Sequence, residues 1–179
     1  LQKFFGSFLQ KRTACLLRFA MNWARFVASG GGAGFAPKAP GTAGSLVGLA
    51  IGAGLLAVSP WCLLGGAVVA AGVGLVATHA ATDMPVFNAV HGEDDDPGWI
   101  VIDEIAGQML TMLALPRLGW PGLALAFVIF RVLDIAKPGP IGWADRRGGA
   151  AGVMGDDVIA GLSGAVLLWA IFVTFPQLA

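Results

Sequence analysis

The stretch Val101-Ile102-Asp103-Glu104-Ile105-Ala106-Gly107-Gln108 sets two adjacent carboxylates just inside a long apolar segment. In hydrocarbon an ionised Asp costs about 3 kcal/mol even on the gentler insertion scale, so such a pair needs water, a partner or a cation. Glu104 and Gln108 stand at i and i+4 and share a helix face, while Asp103 is rotated from Glu104 by about 100°. The rest of the chain brings more charge toward the same place. Lys38 arrives from upstream, then Arg131, Asp134 and Lys137, then Asp145, Arg146, Asp156 and Asp157.

The chain has 179 residues, room for one domain. It is 56% hydrophobic and 12% charged, where soluble domains sit near about 25% charged. With a mean hydropathy of +0.77 and several long apolar runs, the expected class is an all-α, polytopic integral membrane bundle. Cys15 and Cys62 are isolated and offer neither zinc spacing nor a disulfide framework. His79 and His91 have no partner at zinc spacing either. The basic start is followed by no compact apolar core with a small-residue cleavage site, so no cleavable leader is expected.

Residues 1–28 read as a basic amphipathic helix lying in the headgroup region. Phe5, Phe8, Leu9, Leu16, Phe19, Trp23, Phe26 and Val27 line one side, and Lys3, Lys11, Arg12, Arg18 and Arg25 the other. Residues 29–179 read as one membrane-embedded domain. Its first part, Ser29 to Ser45, is a Gly/Pro-rich shaped loop. Thr42 or Ser45 is a candidate cap for the helix that follows, whose free N–H groups beside Lys38 make an anion site. About five membrane-embedded helices are expected, over Gly44–Val58, Trp61–Thr82, Trp99–Leu115, Leu123–Ala136 with an upstream extension near Trp120, and Val158–Phe175. Small residues crowd the second, which favours close helix packing. Asp83–Gly98, with Glu93 to Asp96, reads as a solvated acidic loop. Ile141–Gly155 reads as a Gly-rich loop, with Asp156 and Asp157 opening the last helix.

Threading five crossings puts residues 1–43, 83–104 and 131–157 on one side. That side holds ten of the eleven Lys/Arg, all but Arg117, and the positive-inside rule makes it cytoplasmic. It also holds all eleven Asp/Glu. A transport pathway would place ionisable groups deeper or on both sides, so the pattern suits a site working at one membrane surface. Carboxylates in this number suit Mg²⁺, Mn²⁺ or Ca²⁺ rather than zinc. Lys38, Arg131, Lys137 and Arg146 suit phosphate. The combination suggests phosphoryl chemistry on a lipid headgroup, with water or an Asp as nucleophile. A Walker loop, a Gly-any-Ser-any-Gly elbow and a thiol-phosphatase loop are all absent from the sequence. The competing readings are a small membrane transporter or ion-binding scaffold, and a lipid phosphotransferase. No nucleic-acid partner is expected, and oligomeric state is not readable.

Four blocks then resemble one family. Pro37–Ser45 (PKAPGTAGS), Ile102–Gly107 (IDEIAG), Phe130–Ile141 (FRVLDIAKPGPI) and Gly152–Gly161 (GVMGDDVIAG) are similar, in order and spacing, to the phosphatidylglycerophosphatase A family, over roughly residues 24–170. The resemblance implies a bacterial inner-membrane, Mg²⁺-dependent phosphatase acting on phosphatidylglycerophosphate to give phosphatidylglycerol, in phospholipid biosynthesis. Its catalytic candidates here are Asp103, Glu104, Asp134, Asp156 and Asp157, with Asp103, Glu104, Asp156 and Asp157 as the metal ligands. Lys38, Gly41, Thr42, Ser45, Arg131, Lys137, Asp145 and Arg146 are the candidates for holding substrate phosphate.

Overall fold

The computed structural model describes residues 22–82 and 98–178, and the regular structure among them is entirely helical. The helices are α1 (Pro40–Val58), α2 (Pro60–Thr82), α3 (Ile102–Thr111), α4 (Trp120–Ala136), α5 (Pro140–Asp145) and α6 (Gly149–Thr174). A further helical stretch at 22–28 leads into them. Most of the expected interfacial helix and the acidic run Glu93–Asp96 lie outside the described residues.

Of the five segments expected in the membrane, three form helices long and apolar enough to cross it: α1, α2 and α6. The segment carrying Asp103 and Glu104 behaves differently. Its helix, α3, has 10 residues, about 15 Å of rise against a hydrocarbon core of about 30 Å. Nine of those ten residues are buried, because α3 packs against α1, α2, α4 and α6 together. It is a short central plug inside a ring of longer helices. α4, with 17 residues, rises about 25 Å and stands between the two lengths.

The ring is apolar outward, and its largely apolar interior also holds a set of buried polar residues. Val68, Val69, Val128, Leu162 and Val166 are exposed, while Ser45, Thr78, Asp103, Gln108, Thr111, Asp156 and Asp157 are buried. An exposed apolar surface of this kind suits lipid rather than water. Trp61 and Trp120, at the starts of α2 and α4, are exposed at one end of the bundle, and Trp23 and Trp143 are exposed toward the other. That is the placing expected of interfacial anchors.

Close helix approach is set by small residues on both α1 and α2, as expected in a membrane. A side chain at Gly44 would meet Val101, at Gly48 the backbone of Ile105, and at Gly52 Met112. On α2 a side chain at Gly66 would meet Leu55 and Met109, and at Gly74 Ile102 and Met154, while Gly65 and Gly72 meet nothing within 4 Å among the described residues. The tightest crossing joins α3 to α6, where Gly161 lies directly on the backbone of Gly107. The Thr111 hydroxyl seals this crossing by donating toward the carbonyls of Gly107 and Gly161, both at 3.2 Å.

Two boundaries differ from the sequence expectation. α1 begins at Pro40, four residues before Gly44, and its N-cap is Ala39 with no side-chain cap bond. Pro at the first turn starts the helix without a missing donor, so neither Thr42 nor Ser45 is the cap. Instead the Ser45 hydroxyl donates back to the Gly41 carbonyl at 2.9 Å. The second difference lies in 141–155, where a Gly-rich loop was expected. That stretch contains α5 and the first seven residues of α6. Burial of Ala150, Val153 and Met154 against the bundle overrides the low helix propensity of the glycines. Asp156 and Asp157 therefore sit two turns inside α6 rather than at its mouth.

Candidate metal and phosphate site

The functional residues gather at one end of the bundle. The N-terminal parts of α1, α3 and α6 and the C-terminus of α4 meet there. α3 presents Asp103 and Glu104 in its first turn, where the helix dipole favours negative charge. Asp103 Oδ1 accepts the Glu104 backbone N–H at 3.0 Å. α6 supplies Asp157 from the facing side, because the Gly107–Gly161 crossing lets the two helices touch.

Carboxylate oxygens of Asp103, Glu104 and Asp157 lie within 4.8 Å of one another, a grouping that can hold a metal ion. Asp103 and Asp157 are 6% and 3% exposed. Glu104 Oε2 and Asp157 Oδ1 are buried with no hydrogen-bond partner. Leaving one such charge unmatched in a low-dielectric interior is strongly unfavourable. Asp134 stands close enough to Glu104 and Asp157 to repel both, which deepens the negative potential. The donor set is hard oxygen throughout, so the site fits a divalent cation of the Mg²⁺, Mn²⁺ or Ca²⁺ type.

The basic residues surround this group. Arg131 pairs with Asp134 one turn along α4, and its Nη1 reaches Ser45 Oγ at 3.4 Å. Gly41 lies against both Glu104 and Arg131, leaving no room for a side chain there. This is why α1 can bring its uncapped N-terminus to the carboxylates. Lys137 follows α4 with a left-handed backbone, φ 44°, which turns its side chain toward α6. It bridges Asp145 and Asp156, the latter at 2.5 Å. Burial disfavours the Lys137 charge, but the hydrogen bonds it donates to these two carboxylates prevail and raise its pKa above the ordinary lysine value.

The expected site residues thus divide into neighbouring groups. Asp103, Glu104 and Asp157 form the acidic centre. Asp134, Arg131, Ser45 and Gly41 form its wall. Asp156, expected beside Asp157 as a ligand, is turned to Lys137 instead. Asp145 is the other arm of that bridge. Thr42 is partly buried in the first turn of α1, and Lys38 and Arg146 are exposed. One contact was not singled out from sequence. Arg147 stacks on the Trp143 ring with its guanidinium carbon 3.8 Å from the centroid. Gln108 is fully buried and neither of its side-chain polar atoms has a hydrogen-bond partner. The sequence places Gln108 on the Glu104 face by its i,i+4 spacing, but not its burial.

Comparison with known proteins identifies the family. A family sequence model described as Phosphatidylglycerophosphatase A matches residues 26–172. The chain is 40% identical to phosphatidylglycerophosphatase A of Escherichia coli (strain K12), over 86% of this chain and 85% of that one. It is 35% identical to the protein of the same name from Haemophilus influenzae, over 84% and 90%. It is also 34% identical to a protein of Bacteroides thetaiotaomicron named as a putative phosphatidylinositol-3-phosphatase, over 79% and 89%. No solved structure matches the chain.

Proposed function

The chain belongs to the phosphatidylglycerophosphatase A family, and from that premise we propose that it removes the terminal phosphate of phosphatidylglycerophosphate, with Mg²⁺, at the cytoplasmic face of a bacterial inner membrane. The observation that carries the chemistry is the buried triad Asp103, Glu104 and Asp157, with two buried carboxylate oxygens that have no hydrogen-bond partner among the described residues.

Asp103, Glu104 and Asp157 would hold the Mg²⁺. When bound, the ion neutralises phosphate charge and lowers the pKa of a coordinated water. The chain's own groups do the rest. Arg131, fixed by Asp134 and Ser45, presents its guanidinium beside Glu104 to phosphate oxygens, which it can bind in two places at once. The N–H groups at the uncapped start of α1, around Gly41 and Thr42, add donors and the positive end of a helix dipole. Lys137, fixed between Asp145 and Asp156, supplies a second positive charge. Lys38 and Arg146, on the exposed rim, draw the anionic headgroup toward the site. The lipid remains in the membrane against the apolar ring, so only its phosphate end has to enter the polar mouth.

Phosphate release from phosphatidylglycerophosphate in mixed micelles tests this, with Mg²⁺ or with EDTA. Release is expected to need the metal and to fall at least ~100-fold in Asp103→Asn and in Asp157→Asn. Metal-independent release, or near-normal turnover in either variant, would overturn the assignment. A parallel assay on phosphatidylinositol 3-phosphate sets the headgroup preference, since one relative carries that substrate in its name. The transporter reading predicts solute flux in proteoliposomes without phosphate release. The gathering of the described charged groups other than Arg117 at one end of the bundle argues against it.

A further inference from the structure

One buried polar group has no place in the chemistry above. Gln108 is 0% exposed, yet its Oε1 and its Nε2 both lack a hydrogen-bond partner. A buried amide left unsatisfied costs on the order of 1–3 kcal/mol by mutational measure, and more in an apolar medium. An apolar residue of the same size would avoid that cost. Gly48 lets α1 pack closely over this point, since a Cβ there would stand 3.1 Å from Gln108 Cβ. Gln108 lies one turn deeper than Glu104 on the same face of α3, and Glu104 Oε2 is itself a buried acceptor without a donor. An orphan donor and an orphan acceptor are thus stacked along one helix face, directly beneath the acidic triad.

We propose that Gln108 is a positioning residue. Its side-chain amide donates to the Glu104 carboxylate, directly or through one water, and holds that carboxylate in the orientation the cation site requires. Glu104 is then left with its other oxygen for the ion. The amide is satisfied in the loaded site and strained in the empty one, so Gln108 trades stability of the empty protein for affinity. Groups behind metal ligands commonly act this way, and losing one lowers metal affinity about 10–100-fold.

The inference rests on the cation reading of the triad, and Mn²⁺ serves as the probe. The purified protein in detergent is titrated with Mn²⁺ and followed by electron paramagnetic resonance, and its thermal unfolding is recorded in EDTA. Gln108→Leu and Gln108→Met, two apolar replacements of similar size, are compared with the unaltered chain. The expected result is a crossed effect. Unfolding in EDTA occurs at the same or a higher temperature, while the Mn²⁺ dissociation constant rises at least ~10-fold. A residue that only fills space would not move the two in opposite directions. If either folded variant binds Mn²⁺ within about twofold of the unaltered chain, the proposal is wrong. It is also wrong if both variants unfold earlier in EDTA, because the amide is then satisfied without the ion. If the unaltered chain binds no Mn²⁺, the cation reading of the triad fails, an outcome distinct from normal binding that Gln108 does not influence.

Discussion

Asp156 and Asp157 are neighbours in sequence and face different partners. Successive residues on a helix point about 100° apart, so Asp157 turns to the acidic centre and Asp156 to Lys137. Asp157→Asn should therefore weaken both turnover and Mg²⁺ dependence. Asp156→Asn should leave the Mg²⁺ requirement intact and raise KM by about tenfold, the equivalent of one charge-assisted hydrogen bond. Equal loss of metal affinity in both variants would sink the division. Lys137 gives a second expectation. Its pKa is raised in the folded protein, so its contribution is complete below the unfolded lysine value and fades only as pH rises through the higher folded one. The unfolding-temperature difference between the unaltered chain and Lys137→Met should thus stay flat between about pH 6 and pH 9. A slope in that window would mean that Lys137 titrates there. At this scale Asp103 and Glu104 were legible because carboxylates stand out in an apolar run. Which member of the 156–157 pair faces the centre was not, because the answer depends on where α6 begins.

Between elements, the decisive contact is the α3–α6 crossing. A Cβ at Gly107 would stand 2.5 Å from the Phe130 ring and 2.6 Å from the Asp157 carbonyl. Gly107→Ala is expected to force the helices apart, destabilise the protein by about 1–3 kcal/mol through overpacking, and draw Asp157 away from Asp103 and Glu104. Gly65→Ala, which meets nothing within 4 Å, should leave unfolding temperature and activity unchanged. Thermal unfolding in detergent together with phosphate release reads both. Comparable losses in the two variants would mean that the crossing has no special role. The apolar runs that became α1, α2 and α6 were readable from hydropathy alone. The shortness of α3 was not, because a plug sheltered by other helices and a spanning helix share the same apolar composition. The early start of α6 was hidden by glycines, whose weak propensity is offset only by tertiary burial of Ala150, Val153 and Met154.

On the scale of the whole molecule, the described Lys and Arg residues other than Arg117 cluster toward the end that carries the carboxylates, and Cys62 is exposed near the start of α2 at the opposite end. In a Cys15→Ser background, a membrane-impermeant maleimide should label Cys62 in spheroplasts. It should label a cysteine placed at Arg146 only after the membrane is opened. The reverse pattern would invert the orientation. Part of this was legible in the sequence: threading five crossings expects ten of the eleven basic residues on one side, and the described Arg25, Lys38, Arg131, Lys137, Arg146 and Arg147 follow that expectation. What the fold adds is that the acidic triad sits at one end of the bundle, on a plug that does not run its full depth. On the proposed function, reactant and product share that one end and one leaflet. The dephosphorylated lipid would then arise on the side where its precursor lay, and stocking the opposite leaflet would be a separate transbilayer task.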